Sequence, residues 1–166
     1  CAGIYDSTRS ALHTVYKSRT RPSQPMESND DKSITNRIHT MDIARAIVES
    51  IKLSTTRRDM NKRVSRIYNL ADDKPAGRSE VLNYAADLLE ARGISIEPPT
   101  PKSHDSVNTP RPITKRERRR LVDRKLVSNQ RMKTELLHGQ DLLYPTYQEG
   151  LTAIGEDPTT PWQLLR

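Results

Sequence analysis

Apolar residues recur every three or four positions in several stretches of this sequence, the spacing that places side chains on one face of an α-helix. The pattern predicts helices over residues 10–17, 40–51 and 79–93, and another that begins at Ser128 or Asn129. Thr146 and Glu149 form a capping box, which predicts a last helix ending near Gly155. The helix over 40–51 has an apolar stripe that consists of Ile43, Ala44, Ile47, Val48 and Ile51.

Short apolar runs between the helices predict strands at residues 2–5, 34–39, 66–71 and 142–144. Strand and helix therefore alternate along the chain, an order typical of parallel strands covered by helices. The fold class that we predict is α/β. Thr40 and Ser79 are placed to cap the helices that follow them, and Gly93 is placed to end the third helix.

The composition is polar and basic. Hydrophobic residues make up 33% of the 166 residues and the formal net charge is +7, with a mean hydropathy of -0.82. This apolar content is low for an independent core, and a partner that covers part of the chain would explain it. Between Arg111 and Lys125 eight basic residues face two acidic ones, so this stretch carries +6 of the charge.

The basic stretch raises the alternative of an anion- or nucleic-acid-binding module, whose affinity would depend on salt. Arg111–Lys125 contains no aromatic residue on which a base could stack and no known nucleic-acid-binding motif. A solvated helix face explains the stretch better, and we do not expect nucleic acid as a partner.

Several kinds of site are absent from the sequence. Its six glycines do not cluster, so it lacks the Gly-rich turn that holds a dinucleotide pyrophosphate. No tyrosine has a lysine four residues further on, so the pair that supports carbonyl reduction is missing, and we assign no catalytic residue. A lone Cys1 and four scattered histidines provide no metal site. No run of about 20 apolar residues predicts a membrane span.

Three segments occur in an order that resembles a known family. They cover residues 37–44 (RIHTMDIA), 68–75 (YNLADDKP) and 144–151 (YPTYQEGL). In order and spacing they are similar to the C-terminal part of extended short-chain dehydrogenases/reductases, the family of nucleotide-sugar epimerases and dehydratases. They look closest to its atypical, epimerase-like branch. Family members usually have Gly-Pro-Gly after the residue that corresponds to Tyr5, where this chain has Asp6-Ser7-Thr8.

The resemblance implies a Rossmann-type fold without its N-terminal, dinucleotide-binding half. Residues 1–154 would form the substrate-side segment of an epimerase/dehydratase-like domain, and 155–166 a tail. The missing N-terminal half of the same polypeptide would hold NAD or NADP and the catalytic Tyr/Lys pair. We expect this fragment alone to be inactive and to bind no cofactor tightly. The single cysteine is typical of a reducing compartment, so we expect the cytoplasm or, with the true N-terminus unknown, an organelle.

The resemblance and the residue types suggest a small-molecule substrate, such as a nucleotide sugar, and five candidate substrate-binding residues. They are Tyr5, Arg9, Arg37, His39 and Lys125. Each has an ordinary structural alternative: a core position for the tyrosine, a local backbone hydrogen bond for the histidine, and a solvated surface for the cations. A further alternative, suggested by Asp6-Ser7-Thr8, is a non-catalytic relative that binds only a dinucleotide or a protein partner.

Overall fold

The computed structural model describes residues 3–20, 34–56, 66–94 and 126–162. Strands are short and helices carry most of the regular structure. In chain order, the elements are β1 (Gly3–Tyr5), α1 (Ala11–Thr20), β2 (Ile34–Thr35), β3 (Arg37–His39), α2 (Thr40–Thr56), β4 (Ala76–Gly77), α3 (Arg78–Glu90), a π-helix (Met132–Leu136) and α4 (Tyr147–Glu156).

The strands form two small sheets. β1 and β3 pair in parallel, with Ile4 opposite Ile38, which confirms the predicted α/β class. β2 and β4 instead pair antiparallel, so the expectation of parallel strands holds for one pair only. The strand predicted over 34–39 is divided at Asn36, whose buried side chain donates to the Asp72 carbonyl at 3.2 Å and accepts from the Val127 amide at 2.8 Å.

Two predicted strands are absent, and side chains from distant parts of the sequence bond to backbone groups of both segments. In the segment 66–71 the Ala71 carbonyl accepts from the Asn129 side chain at 2.8 Å. In the segment 142–144 the amides of Leu143 and Tyr144 donate to the two carboxylate oxygens of Asp42, at 2.7 and 3.1 Å. Both segments are irregular rather than strands.

The predicted helix after Asn129 is wound more loosely than an α-helix. Its central turn is the π-helix, in which the Leu137 amide donates to the Met132 carbonyl five residues earlier, at 2.9 Å. His138 and Gly139 then adopt left-handed backbone angles and end it. The turn packs its buried residues against α2 in a small core, made of Ala46, Met132, Leu136, Leu137 and Leu142.

The main core lies between α1, α3 and α4. Its most deeply buried side chains include Leu12, Leu89 and Leu151, one from each helix. Beyond α4 the chain continues onto the same core, because Trp162 is 2% exposed and its ring lies 5.1 Å from that of His13. Residues 155–166 were predicted to form a tail, but Trp162 in this segment belongs to the main core.

The apolar stripe that predicts α2 lies mostly outside both cores. Ile47, Val48 and Ile51 are 53%, 48% and 58% exposed, whereas Asp42 and Ala46 on the opposite side of the helix are buried. We call these three exposed residues, together with Ala44, the α2 apolar face. Ile4 of β1 is also 55% exposed. Large aliphatic side chains are thus solvated on both a helix and a strand of this chain.

Candidate functional site

A cavity of about 210 Å³ opens where β1, β3 and the first turns of α1, α3 and α4 meet. Three of the predicted substrate-binding residues, Tyr5, Arg9 and Arg37, line it. His39 is not among the lining residues, and Lys125 lies outside the described residues. The structure therefore brings together three residues that are up to 32 positions apart in the sequence.

The backbone of Arg9 is held by a turn that Asp6, Ser7 and Thr8 form. One carboxylate oxygen of Asp6 accepts the amides of Thr8 and Arg9, each at 2.8 Å, and the Thr8 hydroxyl at 2.7 Å. The hydrogen bond from the Thr8 hydroxyl is the main reason that the pKa of Asp6 lies below its usual value. An Asp side chain can thus build this turn without glycine. The turn leads directly into α1 and leaves Arg9 exposed at the cavity.

Arg37 is anchored by backbone carbonyl groups. Its guanidinium donates from one nitrogen to the Thr35 carbonyl at 3.1 Å and to the Ala76 carbonyl at 2.9 Å. These carbonyls belong to β2 and β4, so the antiparallel pair fixes the side chain. Burial lowers the pKa of Arg37, with a nearby Asp72 acting in the opposite sense. An arginine retains its charge under such conditions, so a fixed cation lies at the cavity.

Arg78 also lines the cavity, although it was not among the predicted substrate-binding residues. Ser79 was predicted to cap α3, but the N-cap is Gly77, two residues earlier, and it makes no side-chain cap hydrogen bond. Arg78 is therefore in the first turn, where the helix dipole disfavours a cation. With the cap predicted at Ser79, Arg78 lay outside the predicted helix, so the sequence carried no signal that identified it.

Tyr5, His39 and Tyr144 form an aromatic group beside the cavity. The ring of His39 lies 5.2 Å from that of Tyr5 and 4.3 Å from that of Tyr144. The His39 Nδ1 accepts the Met41 amide at 3.2 Å, and burial lowers the pKa of this histidine, so its neutral form is favoured. Burial raises the pKa of Tyr5, whose hydroxyl has no hydrogen-bond partner among the described residues.

Asp72 lies behind Arg37 and is 2% exposed. One of its carboxylate oxygens accepts the Arg37 amide at 2.9 Å, and the other has no partner among the described residues. Burial raises the pKa of Asp72 to about 6. The carboxylate is thus an electrostatic neighbour of both Arg37 and Tyr5, and it titrates closer to neutrality than an ordinary aspartate.

The raised pKa of Asp72 predicts how this residue changes stability with pH. Between pH 4 and about 6 the folded state holds a proton that the unfolded state has released, so Asp72 destabilises the fold increasingly as pH rises through this range. Between pH 4 and about 6 the unfolding free energy of the wild-type chain should fall by about 1–2 kcal/mol relative to that of Asp72→Asn, a value that allows for solvent screening. Urea unfolding of both proteins at pH 4, 5, 6 and 7 measures the difference, and a constant difference would contradict the assignment.

The described residues offer neither a metal site nor a membrane span. No group of three or more His, Cys, Asp or Glu side chains within 3–20, 34–56, 66–94 and 126–162 is arranged to hold a metal ion. No helix in the same ranges is long and apolar enough to cross a bilayer. The basic stretch Arg111–Lys125 lies outside these ranges.

No protein-family model and no curated protein sequence matches this chain. Solved structures do. A conserved protein of unknown function from Silicibacter pomeroyi DSS is 26% identical, with a TM-score of 0.57 over 96% of this chain and 47% of its own. A protein from Methylobacillus flagellatus described as a candidate NAD-dependent epimerase/dehydratase is 24% identical, with a TM-score of 0.52 over 92% of this chain and 44% of its own.

These likenesses establish a fold shared with part of an epimerase/dehydratase-like protein. The chain spans less than half the length of either solved structure. In both, more than half of the polypeptide therefore lies outside the part to which this chain corresponds.

Proposed function

We propose that this chain is the substrate-binding side of an NAD(P)-dependent, epimerase/dehydratase-like member of the extended short-chain dehydrogenases/reductases. The observation that carries the proposal is the cavity, because Tyr5, Arg9 and Arg37, three of the candidate substrate-binding residues, line the same space. The likeness to an epimerase/dehydratase-like structure over less than half of its chain supports the same assignment.

The proposal places the dinucleotide on an upstream half of the same polypeptide. This chain has no Gly-rich turn, so the residues that would hold the cofactor pyrophosphate are not its own. The α2 apolar face offers a surface on which such a half could rest, since each buried aliphatic side chain contributes about 1.5–3 kcal/mol. Among the described residues β1 pairs only with β3, which leaves its second edge open for a further parallel strand.

In this proposal the chain orients the substrate rather than performing the chemistry. When bound, a nicotinamide cofactor accepts or supplies the hydride. The arginines of this chain would hold anionic groups of the substrate, and the walls from α1, α3 and α4 would exclude water from it. The small-molecule substrate, for which the family resemblance suggests a nucleotide sugar, would lie between the two halves.

Cofactor binding by the intact polypeptide, meaning this chain with its proposed upstream half, tests the function. Fluorescence titration with NADH and NADPH should show saturable binding of at least one of them. Val48→Asp places a charge on the α2 apolar face, and we expect it to weaken that binding about tenfold or more, since a charge is costly to bury at an interface. Asn83→Asp adds a charge at an exposed position of α3 and should leave the binding unchanged.

Failure of the intact polypeptide to bind either dinucleotide would contradict the proposed function. Equal effects of Val48→Asp and Asn83→Asp would contradict the role given to the α2 apolar face.

A further inference from the structure

Three guanidinium groups border the cavity, and no residue that lines it is acidic. Arg9 and Arg78 are exposed, and neither has an ion-pair partner among the described residues. Two carboxylates, those of Asp72 and Glu80, interact electrostatically with Arg37, but neither residue lines the cavity and together they are fewer than the three arginines. An excess of positive charge therefore remains at the cavity mouth.

The first turn of α3, which contains Glu80 as well as Arg78, also brings helix amides to the cavity. Its N-cap, Gly77, makes no side-chain hydrogen bond to the helix, so the amides of the first turn have no side-chain acceptor there. Free amides at a helix N-terminus attract anions, and phosphates in particular. Arg78 lies in the same turn, so a cationic side chain and helix amides belong to one wall of the cavity.

Other residues that line the cavity are apolar and buried. Val81, Leu82 and Leu151 line it and are buried, with exposed fractions of 5%, 9% and 1%. The ligand that matches such walls has a charged end and an apolar end. At about 210 Å³ the space is smaller than the ~300–1,000 Å³ typical of drug-sized ligands. It suits a compact molecule better than a nucleotide sugar.

We propose that this cavity binds a small phosphate monoester, with its phosphate among Arg9, Arg37 and Arg78 and its carbon chain on Val81, Leu82 and Leu151. Three cations match a dianion better than a carboxylate, and the planar guanidinium fork pairs with two phosphate oxygens at once. That this monoester is the substrate rests on the proposed function. Its binding to the cavity requires no cofactor.

Titration calorimetry on the intact polypeptide without cofactor tests the inference. The probes are n-butyl phosphate, inorganic phosphate, pentanoate and UDP-glucose. n-Butyl phosphate should bind most tightly, because it alone combines a dianion with a short apolar chain. Its affinity should fall as salt rises. Pentanoate binding as tightly would overturn the requirement for a dianion, and tighter binding of UDP-glucose would overturn the assignment to a compact monoester.

Two variants test whether n-butyl phosphate binds in this cavity. Arg78→Gln removes the cation from the first turn of α3, and Arg9→Gln removes the one held by the Asp6 turn. Each should weaken the binding of n-butyl phosphate by about tenfold to a hundredfold, the range for a lost hydrogen bond to a charged group. Arg131→Gln is the matched control, because Arg131 pairs with Glu135 at 3.0 Å and does not line the cavity. Unchanged binding in Arg78→Gln and Arg9→Gln would overturn the site.

The two proposals fail in different experiments. A polypeptide that binds NADH or NADPH but not n-butyl phosphate would overturn the monoester and retain the function. One that binds n-butyl phosphate through Arg78 but neither dinucleotide would overturn the function and retain the site.

Discussion

Asp42→Ala should lower the free energy of unfolding by about 3 kcal/mol or more. The Asp42 carboxylate is 1% exposed and accepts the amides of Leu143 and Tyr144, at 2.7 and 3.1 Å. These bonds fasten the segment before α4 to the start of α2, across about 100 residues of sequence. Alanine would leave two backbone donors without an acceptor, which is a larger penalty than the loss of an ordinary exposed hydrogen bond.

Urea unfolding followed by circular dichroism measures the effect. Asp42→Asn keeps the side-chain volume and one acceptor oxygen, so it should lose less stability than Asp42→Ala. Asp87→Ala is the control for removal of an aspartate, because Asp87 is exposed on α3, and it should change the free energy of unfolding by less than about 0.5 kcal/mol. Equal effects of Asp42→Ala and Asp87→Ala would show that the two amide bonds do not stabilise the fold.

Gly150→Ala should destabilise the chain by about 2–3 kcal/mol, the cost of overpacking a well-filled core. Gly150 lies in α4 against the buried ring of Tyr5. A Cβ at this position would come within 2.8 Å of both Cε2 and Cζ of that ring, which is closer than carbon atoms approach. Tyr5 is buried, and its ring also packs against that of His39, 5.2 Å away between ring centroids. The clash therefore has little room to relax, and relaxation would displace a wall of the cavity.

Gly155→Ala, one and a half turns further along α4, is the matched control. There the added Cβ would meet only the guanidinium end of Arg92, at 3.2 to 3.4 Å, and a long flexible side chain can move aside. Alanine also favours a helix over glycine by up to about 1 kcal/mol. We expect Gly155→Ala to melt near the wild-type temperature and Gly150→Ala well below it. Similar melting temperatures would contradict the packing described for Tyr5.

Much of the local structure follows from the sequence, because local rules determine it. The capping box is present as predicted, with the Thr146 hydroxyl accepting the Glu149 amide and the Glu149 carboxylate accepting the Thr146 amide. Thr40, predicted to cap α2, is the first residue of that helix, and Gly93 takes the left-handed backbone angle predicted for a residue after a helix. Each of these features depends on residues within a few positions of one another.

The predictions of strands at 66–71 and 142–144 were wrong, and the local sequence of these segments gives no sign of the contacts that they make. Both runs are apolar enough for strands, but Asn129 bonds to one carbonyl of the first and Asp42 to two amides of the second, and both residues are distant in sequence. Arg78 was missed for a related reason: α3 begins at Arg78, two residues before the start that a cap at Ser79 indicated. Residues joined only by the tertiary fold could not be read from spacing.

The apolar stripe of α2 predicted the helix correctly but did not determine whether its side chains are buried. Its apolar spacing predicted a helix, and a helix is present, yet Ile47, Val48 and Ile51 are about half exposed. Helical spacing identifies an apolar face without identifying what covers that face. In the proposed function, the cover is the cofactor-bearing half of the polypeptide.

Hydrogen–deuterium exchange of α2 tests the central claim most directly, by comparing the 166-residue chain with the intact polypeptide that includes its proposed upstream half. The account predicts that amides across Thr40–Thr56 exchange more slowly in the intact polypeptide, because the α2 apolar face is then covered, while those of α3 exchange at similar rates in both. Identical protection of α2 in the two proteins would contradict the claim that this chain is one side of a larger, cofactor-binding enzyme.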